Sequence, residues 1–269
     1  MRSFIKNAWT KLTSKSQPNS TERTENTLRT HFKEYARAVI PLFTINSSDD
    51  EGVGSAFHVG EGVFVTARHV VEGKKSVTAA VDSGALPAAL LKECDPSQDT
   101  HTSSVTPHYH RDPNIDVAVF KIPAYAFLPA IILGGHLDDW ISDDQFVLNE
   151  VLVLGFPPIP LSRRPLLVAS RGEVTGVVDL LAVKHVHFIL SVMARGGFSG
   201  GVALSEWGVA LGVITMSLVK NHLPEESGYL TVLSVEPIYE CLAQHGLLTD
   251  QHRELFGDLF DDATTARRI

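Results

Sequence analysis

From residue 38 onward, short apolar runs alternate with Gly, Pro, Asn and Asp. Runs of this length, rich in β-branched residues and bounded by turn residues, predict β-strands rather than helices. Many short strands at regular spacing are typical of a sandwich or a barrel, and not of alternating βαβ units. The predicted strands fall into two groups of six: 38–45, 54–59, 63–67, 76–81, 88–93 and 117–122, followed by 150–155, 166–179, 185–190, 201–205, 208–216 and 229–234.

This grouping predicts an all-β fold of two six-stranded antiparallel barrels, one over about 38–125 and the other over about 145–235. Helical periodicity occurs only near the ends of the chain, at 25–37, 236–247 and 250–259. We therefore expect an N-terminal helical arm and a C-terminal helix packed on the second barrel.

The same pattern divides the chain into three parts. We expect a basic, partly helical extension over 1–37, a body over 38–238 and a helical tail over 239–269. The extension contains eight Lys or Arg against three Asp or Glu, and its apolar residues have helical spacing. We interpret it as an arm or a helix packed on its own domain. A docking helix for a partner, a membrane-surface helix and an organelle transit peptide are the alternatives.

Composition narrows the function classes. The chain has 44% hydrophobic and 20% charged residues, as an ordinary globular protein does, and its net charge of −8 argues against a general nucleic-acid binder. It has neither an apolar signal-peptide core nor a run long enough to span a membrane. The two cysteines, Cys94 and Cys241, indicate free thiols in a reducing compartment. We therefore expect a cytoplasmic protein.

A long polar stretch over 95–114 interrupts the strand pattern and contains His101, His108 and His110. Three histidines suggest zinc, but His-x-His without a fixed partner is a weak signal. We interpret the stretch as a solvated surface loop, and we expect no metal or cofactor.

Gly197-Phe198-Ser199-Gly200-Gly201 is the most informative segment, because it has two interpretations that both end in a serine nucleophile. It fits the G-x-S-x-G elbow of α/β-hydrolases and equally the G-x-S-G-G loop of chymotrypsin-like peptidases. Chain order separates them, because the elbow requires its acid and histidine after the serine. Here a histidine and an aspartate precede the serine, in Thr66-Ala67-Arg68-His69-Val70 and Asn114-Ile115-Asp116-Val117, which is the peptidase order.

Each of the three residues suits one role in acyl transfer. A serine hydroxyl needs an adjacent base, and the imidazole of His69 follows a predicted strand at the place where it could serve. Asp116 opens another predicted strand and could orient that imidazole, with Asp112 as the fallback. The N–H groups of Gly197 and Ser199 are the candidates for an oxyanion hole.

Together these motifs resemble the trypsin-like (chymotrypsin-fold) serine peptidases, in particular the intracellular and bacterial branch that includes the HtrA/Deg proteases. The resemblance covers about 38–238 and implies His69 as general base, Asp116 as its orienter and Ser199 as nucleophile. It also implies that the strand at Thr215, Met216 and Ser217 pairs with the substrate backbone. Met193, Ala194 and Gly228 would then line the pocket for the side chain before the scissile bond.

Two departures qualify the resemblance. Phe198 stands where digestive trypsin-like enzymes have the aspartate that pairs with a freed N-terminus, so activation by clipping is not expected. Met193 falls at the inferred pocket base, where no charged residue occurs, so small or medium apolar side chains are the expected preference. The chain also ends too soon for a PDZ domain to be expected after the peptidase body.

The sequence therefore predicts a serine endopeptidase that acts on protein or peptide substrates. A regulatory protein partner could gate it through the N-terminal arm or the C-terminal helix. Two alternatives stay open: a protease-fold binding module with dormant catalysis, and an α/β-hydrolase esterase.

Overall fold

The computed structural model describes residues 27–82, 100–138, 141, 145–162, 164–179, 184–193, 197–218 and 229–256. Within them, strands predominate and form two antiparallel sheets. The parallel sheet that an α/β-hydrolase requires does not occur in these ranges, because every ladder between strands is antiparallel.

The first sheet contains seven strands in the order β5-β4-β1-β2-β3-β7-β6. Its two edge strands, β5 and β6, do not pair with each other in the described ranges, so the sheet is an open half-barrel. This differs from the closed six-stranded barrel predicted for 38–125. The strands are β1 (Val39–Ile45), β2 (Glu51–Gly60), β3 (Val63–Thr66), β4 (Ser76–Asp82), β5 (Thr100–Ser104), β6 (His108–Tyr109) and β7 (Ala118–Lys121).

The second sheet is a closed six-stranded barrel in the order β10-β13-β12-β11-β8-β9, as the sequence predicted. Its strands place apolar side chains inside, because alternate residues of a strand face opposite sides. They are β8 (Glu150–Gly155), β9 (Val168–Asp179), β10 (Val186–Met193), β11 (Val202–Ser205), β12 (Ala210–Leu218) and β13 (Tyr229–Ser234).

Four α-helices accompany the sheets in the described ranges, and one short 3₁₀ turn (Ala36–Ala38) leads from the first helix into β1. Within that part of the chain, no helix is long and apolar enough to cross a membrane. The helices are α1 (Thr27–Tyr35), α2 (Arg68–Val71), α3 (Glu236–Gln244) and α4 (Asp250–Phe256).

α3 is buried along its whole length and joins the core between the two sheets. One hydrophobic cluster unites Phe57 and Val65 of the first sheet with Leu154 of the second and Tyr239 of α3, all at most 1% exposed. The two sheets are therefore packed against each other and against α3.

The polar stretch 95–114 differs from the predicted surface loop. It contributes β5 and β6, and His110 is only 5% exposed. The three histidines have separate partners: Tyr125 for His101, His245 for His108 and Glu240 for His110. They do not converge on a common ion position, and no metal-binding group of three or more side chains occurs among the described residues.

Some of the remaining predictions concern residues outside the described ranges. The predicted strand 88–93 and Cys94 lie outside them, as do residues 1–26 of the basic arm. Cys241 is a buried free thiol, and burial raises its pKa to about 12.

Candidate active site

His69 is held by backbone and side chain against one carboxylate. β3 ends at Thr66, and the single turn of α2 places His69 just beyond the strand end. Its backbone N–H donates to Asp116 Oδ1 at 2.9 Å, and its ring Nδ1 lies 2.7 Å from Asp116 Oδ2. With Nδ1 bound to the carboxylate, Nε2 is the nitrogen left to exchange a proton with a substrate or nucleophile.

Asp116 lies on the short connection between β6 and β7, which we call the aspartate loop (residues 110–117). The His110 N–H donates to the Val117 carbonyl at 3.2 Å, and buried Ile115 and Val117 fix the loop to the core. Asp112, the fallback orienter, instead accepts from the backbone and side-chain N–H groups of Asn114. Asp116 is therefore the residue of the loop that contacts His69.

Ser199 lies on the connection from β10 to β11, whose residues 197–201 we call the nucleophile loop. The Ser199 carbonyl accepts from the Ser55 N–H at 3.0 Å, and the Gly200 N–H donates to the Ile214 carbonyl at 2.8 Å. The loop is thus held by β2 of the first sheet and β12 of the second. The Ser199 hydroxyl donates to the Thr215 carbonyl at 3.1 Å.

Two glycines allow this path of the nucleophile loop. Gly197 and Gly200 have φ of +88° and +81°, a region that side chains disfavour. A Cβ on Gly200 would also lie 2.1 Å from the Ser55 carbonyl oxygen and 3.1 Å from the Ala67 nitrogen. The loop therefore packs directly on the chain that leads into His69.

Ser55 supports the nucleophile loop, although no motif of the sequence assigns it a role. It is fully buried, and its hydroxyl donates to the Gly197 carbonyl at 2.8 Å and accepts from the Phe156 N–H at 2.8 Å. These bonds fix the peptide plane after Gly197. The only sequence signal was the Gly-Ser pair inside an apolar strand, which does not reveal a partner 142 residues away.

Phe198 anchors the nucleophile loop in the core of the second barrel. Its side chain is 1% exposed and packs in the cluster that contains Phe188 and Val153. Apolar burial therefore holds the loop at the position where the digestive enzymes have an ion pair.

His69 and Ser199 are on facing elements but do not form a hydrogen bond with each other in the described structure. Catalytic hydrogen bonds are often absent or long without substrate, so this geometry alone does not exclude the pair. Among the described residues, the N–H groups of Gly197 and Ser199 have no hydrogen-bond acceptor.

The predicted substrate-binding residues are only partly described. Thr215 is buried, and its carbonyl accepts from Ser199. Met193 is 69% exposed at the end of β10 opposite Tyr229, and Ser217 of β12 lies opposite Leu230, so β13 brings the two to one end of the barrel. Of Met216 and Ser217, only the strand position is described, and Ala194 and Gly228 lie outside the described residues.

A buried charged cluster lies behind the aspartate loop. Glu240 Oε2 is 3.1 Å from His110 Nε2 and 3.5 Å from His185 Nε2, and His185 Nδ1 is 2.7 Å from Asp138 Oδ2. Burial alone disfavours the imidazolium, but hydrogen bonds and charges from Asp138 and Glu240 raise the pKa of His185 to about 9. Burial likewise opposes the Glu240 carboxylate, yet the two histidines lower its pKa to about 2.

Comparison with known proteins adds a family and a fold. A family model described as trypsin-like peptidase domain matches residues 54–213. The sequence matches no curated protein.

Three solved structures with the same fold are distant in sequence. A serine-to-alanine form of the HtrA-type protease AlgW with a tripeptide has a TM-score of 0.60 at 20% identity, covering 86% of this chain and 72% of its own. The serine endoprotease from Yersinia pestis has a TM-score of 0.58 at 16% identity, covering 85% and 69%. The Rv3671c protease from M. tuberculosis, active form, has a TM-score of 0.58 at 17% identity, covering 87% and 89%. At these identities the likeness concerns the fold alone.

Proposed function

Because the chain belongs to the trypsin-like peptidase family, we propose that it is a serine endopeptidase that cleaves peptide bonds through an acyl-enzyme on Ser199. The observation that carries the proposal is the two-point contact of Asp116 with His69, at 2.9 and 2.7 Å, beside a glycine-rich loop that presents a serine. An aspartate that holds one imidazole nitrogen leaves the other free to act as a base.

In the proposed reaction, His69 accepts a proton and then returns it, first in acylation and again in deacylation. His69 Nε2 takes the hydroxyl proton of Ser199 while Oγ attacks the scissile carbonyl, and the N–H groups of Gly197 and Ser199 bind the resulting oxyanion. Collapse of the tetrahedral intermediate breaks the C–N bond, and His69 gives its proton to the leaving amine. Water then attacks the acyl-enzyme with His69 again as base, releasing the acid and restoring Ser199.

We propose that the substrate binds as an extended strand beside β12. The pairing of β12 with β11 ends at Val213, and the backbone of the nucleophile loop is hydrogen-bonded to Ile214. The strand positions that follow, Thr215 to Ser217, would receive the substrate backbone by β-augmentation. Met193 at the same barrel end favours an apolar side chain before the scissile bond.

A peptide-library cleavage screen tests the proposal. Purified wild-type chain and Ser199→Ala are incubated with proteome-derived peptides, and new termini are identified by mass spectrometry. We expect Ser199-dependent cleavage after apolar residues, a loss of about 10⁴-fold in kcat for Asp116→Asn, and a similar loss for His69→Ala. Equal peptide patterns from wild type and Ser199→Ala would contradict it.

One observation favours a second candidate, a gated peptidase. The Ser199 hydroxyl donates to the Thr215 carbonyl and makes no hydrogen bond to His69 in the described residues. In this state the Ser199 hydroxyl is bonded to Thr215 rather than to His69, and a partner or substrate would have to release it. Reaction with a fluorophosphonate only after a cognate protein or peptide is added would support gating, and immediate full reaction would contradict it.

The burial of α3 limits how a regulatory partner could bind the C-terminal helix. Because Glu236–Gln244 is buried throughout, a partner could not use this helix without displacing it. The cytoplasmic location inferred from the cysteines stays a prediction.

A further inference from the structure

One face of α3 lines the segment that leads into the aspartate loop. Side chains at 240, 241 and 244, and that of His245 just after the helix, each contact one or two residues of 108–111. Helical residues at this spacing lie on the same side of a helix. The segment 108–111, which precedes Asp116, is thus bound at each of its residues by α3 or by His245 after it.

Two of these contacts reach the aspartate loop itself. Gln244 Oε1 accepts from the Arg111 N–H at 2.9 Å, and Glu240 Oε2 lies 3.1 Å from His110 Nε2. The other His110 ring nitrogen, Nδ1, accepts from the Asp112 N–H at 3.1 Å, which assigns the proton to Nε2 and makes Glu240 its acceptor. His110 therefore transmits the position of Glu240 to the backbone at 112.

Glu240 is itself fixed from the opposite side. Its carboxylate also faces His185, which pairs with Asp138, and Asp138 accepts from the Val186 N–H and the Ser234 hydroxyl. Because His185 directly precedes β10, Val186 begins it and Ser234 ends β13, the second barrel sets the position of Glu240. Low exposure strengthens these interactions, since water cannot replace either partner.

From these contacts we infer that Glu240, assisted by Gln244, is a positioning residue: it fixes the aspartate loop through His110 and so sets the orientation in which Asp116 meets His69. Glu240 touches neither the substrate nor the reacting atoms. The inference rests on the proposed function of Asp116, His69 and Ser199, and it adds a residue that none of the family motifs contains.

The expected consequence is a loss of rate with little loss of binding. Displacement of Asp116 by a fraction of an ångström would misalign His69, and misplacement of about 1 Å can cost roughly 10²-fold in rate. Substrate contacts along β12 do not involve α3. We therefore expect Glu240→Ala to lower kcat about tenfold or more while KM changes less than about threefold.

Glu240→Gln separates positioning from stability. The amide oxygen can still accept from His110, but the charge that pairs with His185 is lost, so the free energy of unfolding should fall. Rate should nevertheless recover to within about threefold of wild type, because the hydrogen bond that holds the loop is retained. A residue with a merely structural role would show rate and stability falling together.

Tyr239→Phe is the matched control on the same helix. It removes buried hydrogen bonds from the Tyr239 hydroxyl to the Leu133 and Gly134 carbonyls, which are not part of the aspartate loop. We expect it to destabilise the protein without slowing turnover of the folded fraction.

The experiment compares wild type, Glu240→Ala, Glu240→Gln, Gln244→Ala and Tyr239→Phe as full-length chains. It measures the rate constant of labelling by a fluorophosphonate, kcat and KM on a peptide, and the low-field NMR resonance of the His69 Nδ1–H, assigned by its loss in His69→Ala. We expect slow labelling and a broadened or absent resonance in Glu240→Ala, with Gln244→Ala intermediate. Tyr239→Phe and Glu240→Gln should keep both signals.

Failure of this inference is distinguishable from failure of the proposed function. If wild type is labelled but Glu240→Ala and Tyr239→Phe react equally fast per folded molecule and keep the resonance, the positioning role of Glu240 is wrong. If wild type is not labelled even with peptide substrate or a cognate protein present, the proposed peptidase function falls. The resonance alone then decides whether Glu240 orients the pair of Asp116 and His69.

Discussion

Gly200 follows Ser199 directly and packs against the backbone of the first sheet at Ser55. Its φ of +81° and the 2.1 Å approach of an added Cβ to the Ser55 carbonyl make any side chain costly on two counts. Gly246 has a comparable φ of +63° but nothing within 4 Å of an added Cβ. A substitution at Gly246 therefore measures the cost of backbone strain alone, and one at Gly200 adds the cost of crowding.

We predict that Gly200→Ala lowers the free energy of unfolding by at least about 3 kcal/mol, whereas Gly246→Ala lowers it by about 1 kcal/mol. The difference arises because only the first substitution forces β2 and the nucleophile loop apart. Urea unfolding followed by fluorescence measures both. Equal losses would mean that the loop moves freely away from Ser55.

The Ser55 hydroxyl should matter to turnover more than to folding. Ser55→Ala leaves the Gly197 carbonyl and the Phe156 N–H without their partner, which costs about 1–3 kcal/mol and frees the peptide plane after Gly197. We predict a fall of roughly tenfold to 10²-fold in kcat, because movement of this peptide would shift the two peptides beside it, which contain the proposed oxyanion donors, the Gly197 and Ser199 N–H groups.

Ser205→Ala is the control for this prediction. Ser205 is also buried, and its hydroxyl also donates to a backbone carbonyl, that of Val209, but at the far end of β11 from the nucleophile loop. Peptide hydrolysis by the two variants should differ although their stabilities are similar. A Ser55→Ala enzyme with wild-type kcat would show that the Gly197 peptide is held by other contacts.

At the residue scale, local motifs indicate candidate catalytic residues, but they do not indicate the distant residues that hold them in place. His69, Asp116 and Ser199 each follow a short signature that requires no knowledge of distant residues. Ser55 and Glu240 act through partners 142 and 130 positions away, so no local pattern reveals them. His110 illustrates the same limit, because its polar neighbours predict exposure and only the folded chain buries it against α3.

At the scale of elements, the nucleophile loop takes its stiffness from the second barrel. Phe198 and Phe188 belong to the same buried cluster, but only Phe198 lies in the loop. Trimming either ring to leucine leaves a void in the same core and costs about 1–3 kcal/mol.

We predict that Phe198→Leu slows fluorophosphonate labelling several-fold per folded molecule, while Phe188→Leu does not. The first substitution loosens the segment that carries Ser199, and the second loosens only the barrel. Labelling rates corrected for the folded fraction make the comparison. Identical rates would indicate that hydrogen bonds to Ser55 and Ile214 hold the loop without its apolar anchor.

Strand prediction succeeded where one side of a strand is apolar and failed where it is not. β8 and β13 have the predicted bounds, because their buried residues produce a clear apolar run. β5, with the sequence Thr-His-Thr-Ser-Ser, has no buried residue and is held to β4 by backbone pairing. Hydrophobic periodicity carries no signal for such an edge strand, so the open seven-stranded first sheet could not be predicted from the pattern.

At the scale of the whole molecule, the charged cluster joins both sheets and should shape stability against pH. The pKa of His185 is raised from 6.5 to about 9, so its stabilising contribution is complete below pH 6.5 and is lost as pH rises through 9. At about 1.4 kcal/mol per pH unit, this contribution reaches about 3 kcal/mol. Burial lowers the pKa of His136 and His252 to about 4, so their contribution is present above pH 6.5 and is lost as pH falls through 4.

We predict a maximum in the free energy of unfolding near pH 6.5, measured by urea titration at a series of pH values. His185→Gln should lower stability at pH 6.5 and flatten the alkaline limb, so that the two curves converge towards pH 9. Between pH 6.5 and about 4 the acid limb depends on His136 and His252 and should keep its slope, whereas below pH 4 the loss of His185 also weakens the pairing that lowers the pKa of Glu240. Curves that stay parallel from pH 6.5 to 9 would show that His185 does not titrate between the two carboxylates.

We propose that Ser199, and no other serine, is the nucleophile, activated by His69. The most direct test of this proposal is treatment of the folded chain with a fluorophosphonate, followed by intact-mass measurement and localisation of the adduct by peptide sequencing. The account predicts one adduct per chain on Ser199, lost in Ser199→Ala and strongly slowed in His69→Ala. No adduct on the folded chain, even with peptide substrate or a cognate partner present, or an adduct at the same rate in His69→Ala, would contradict it.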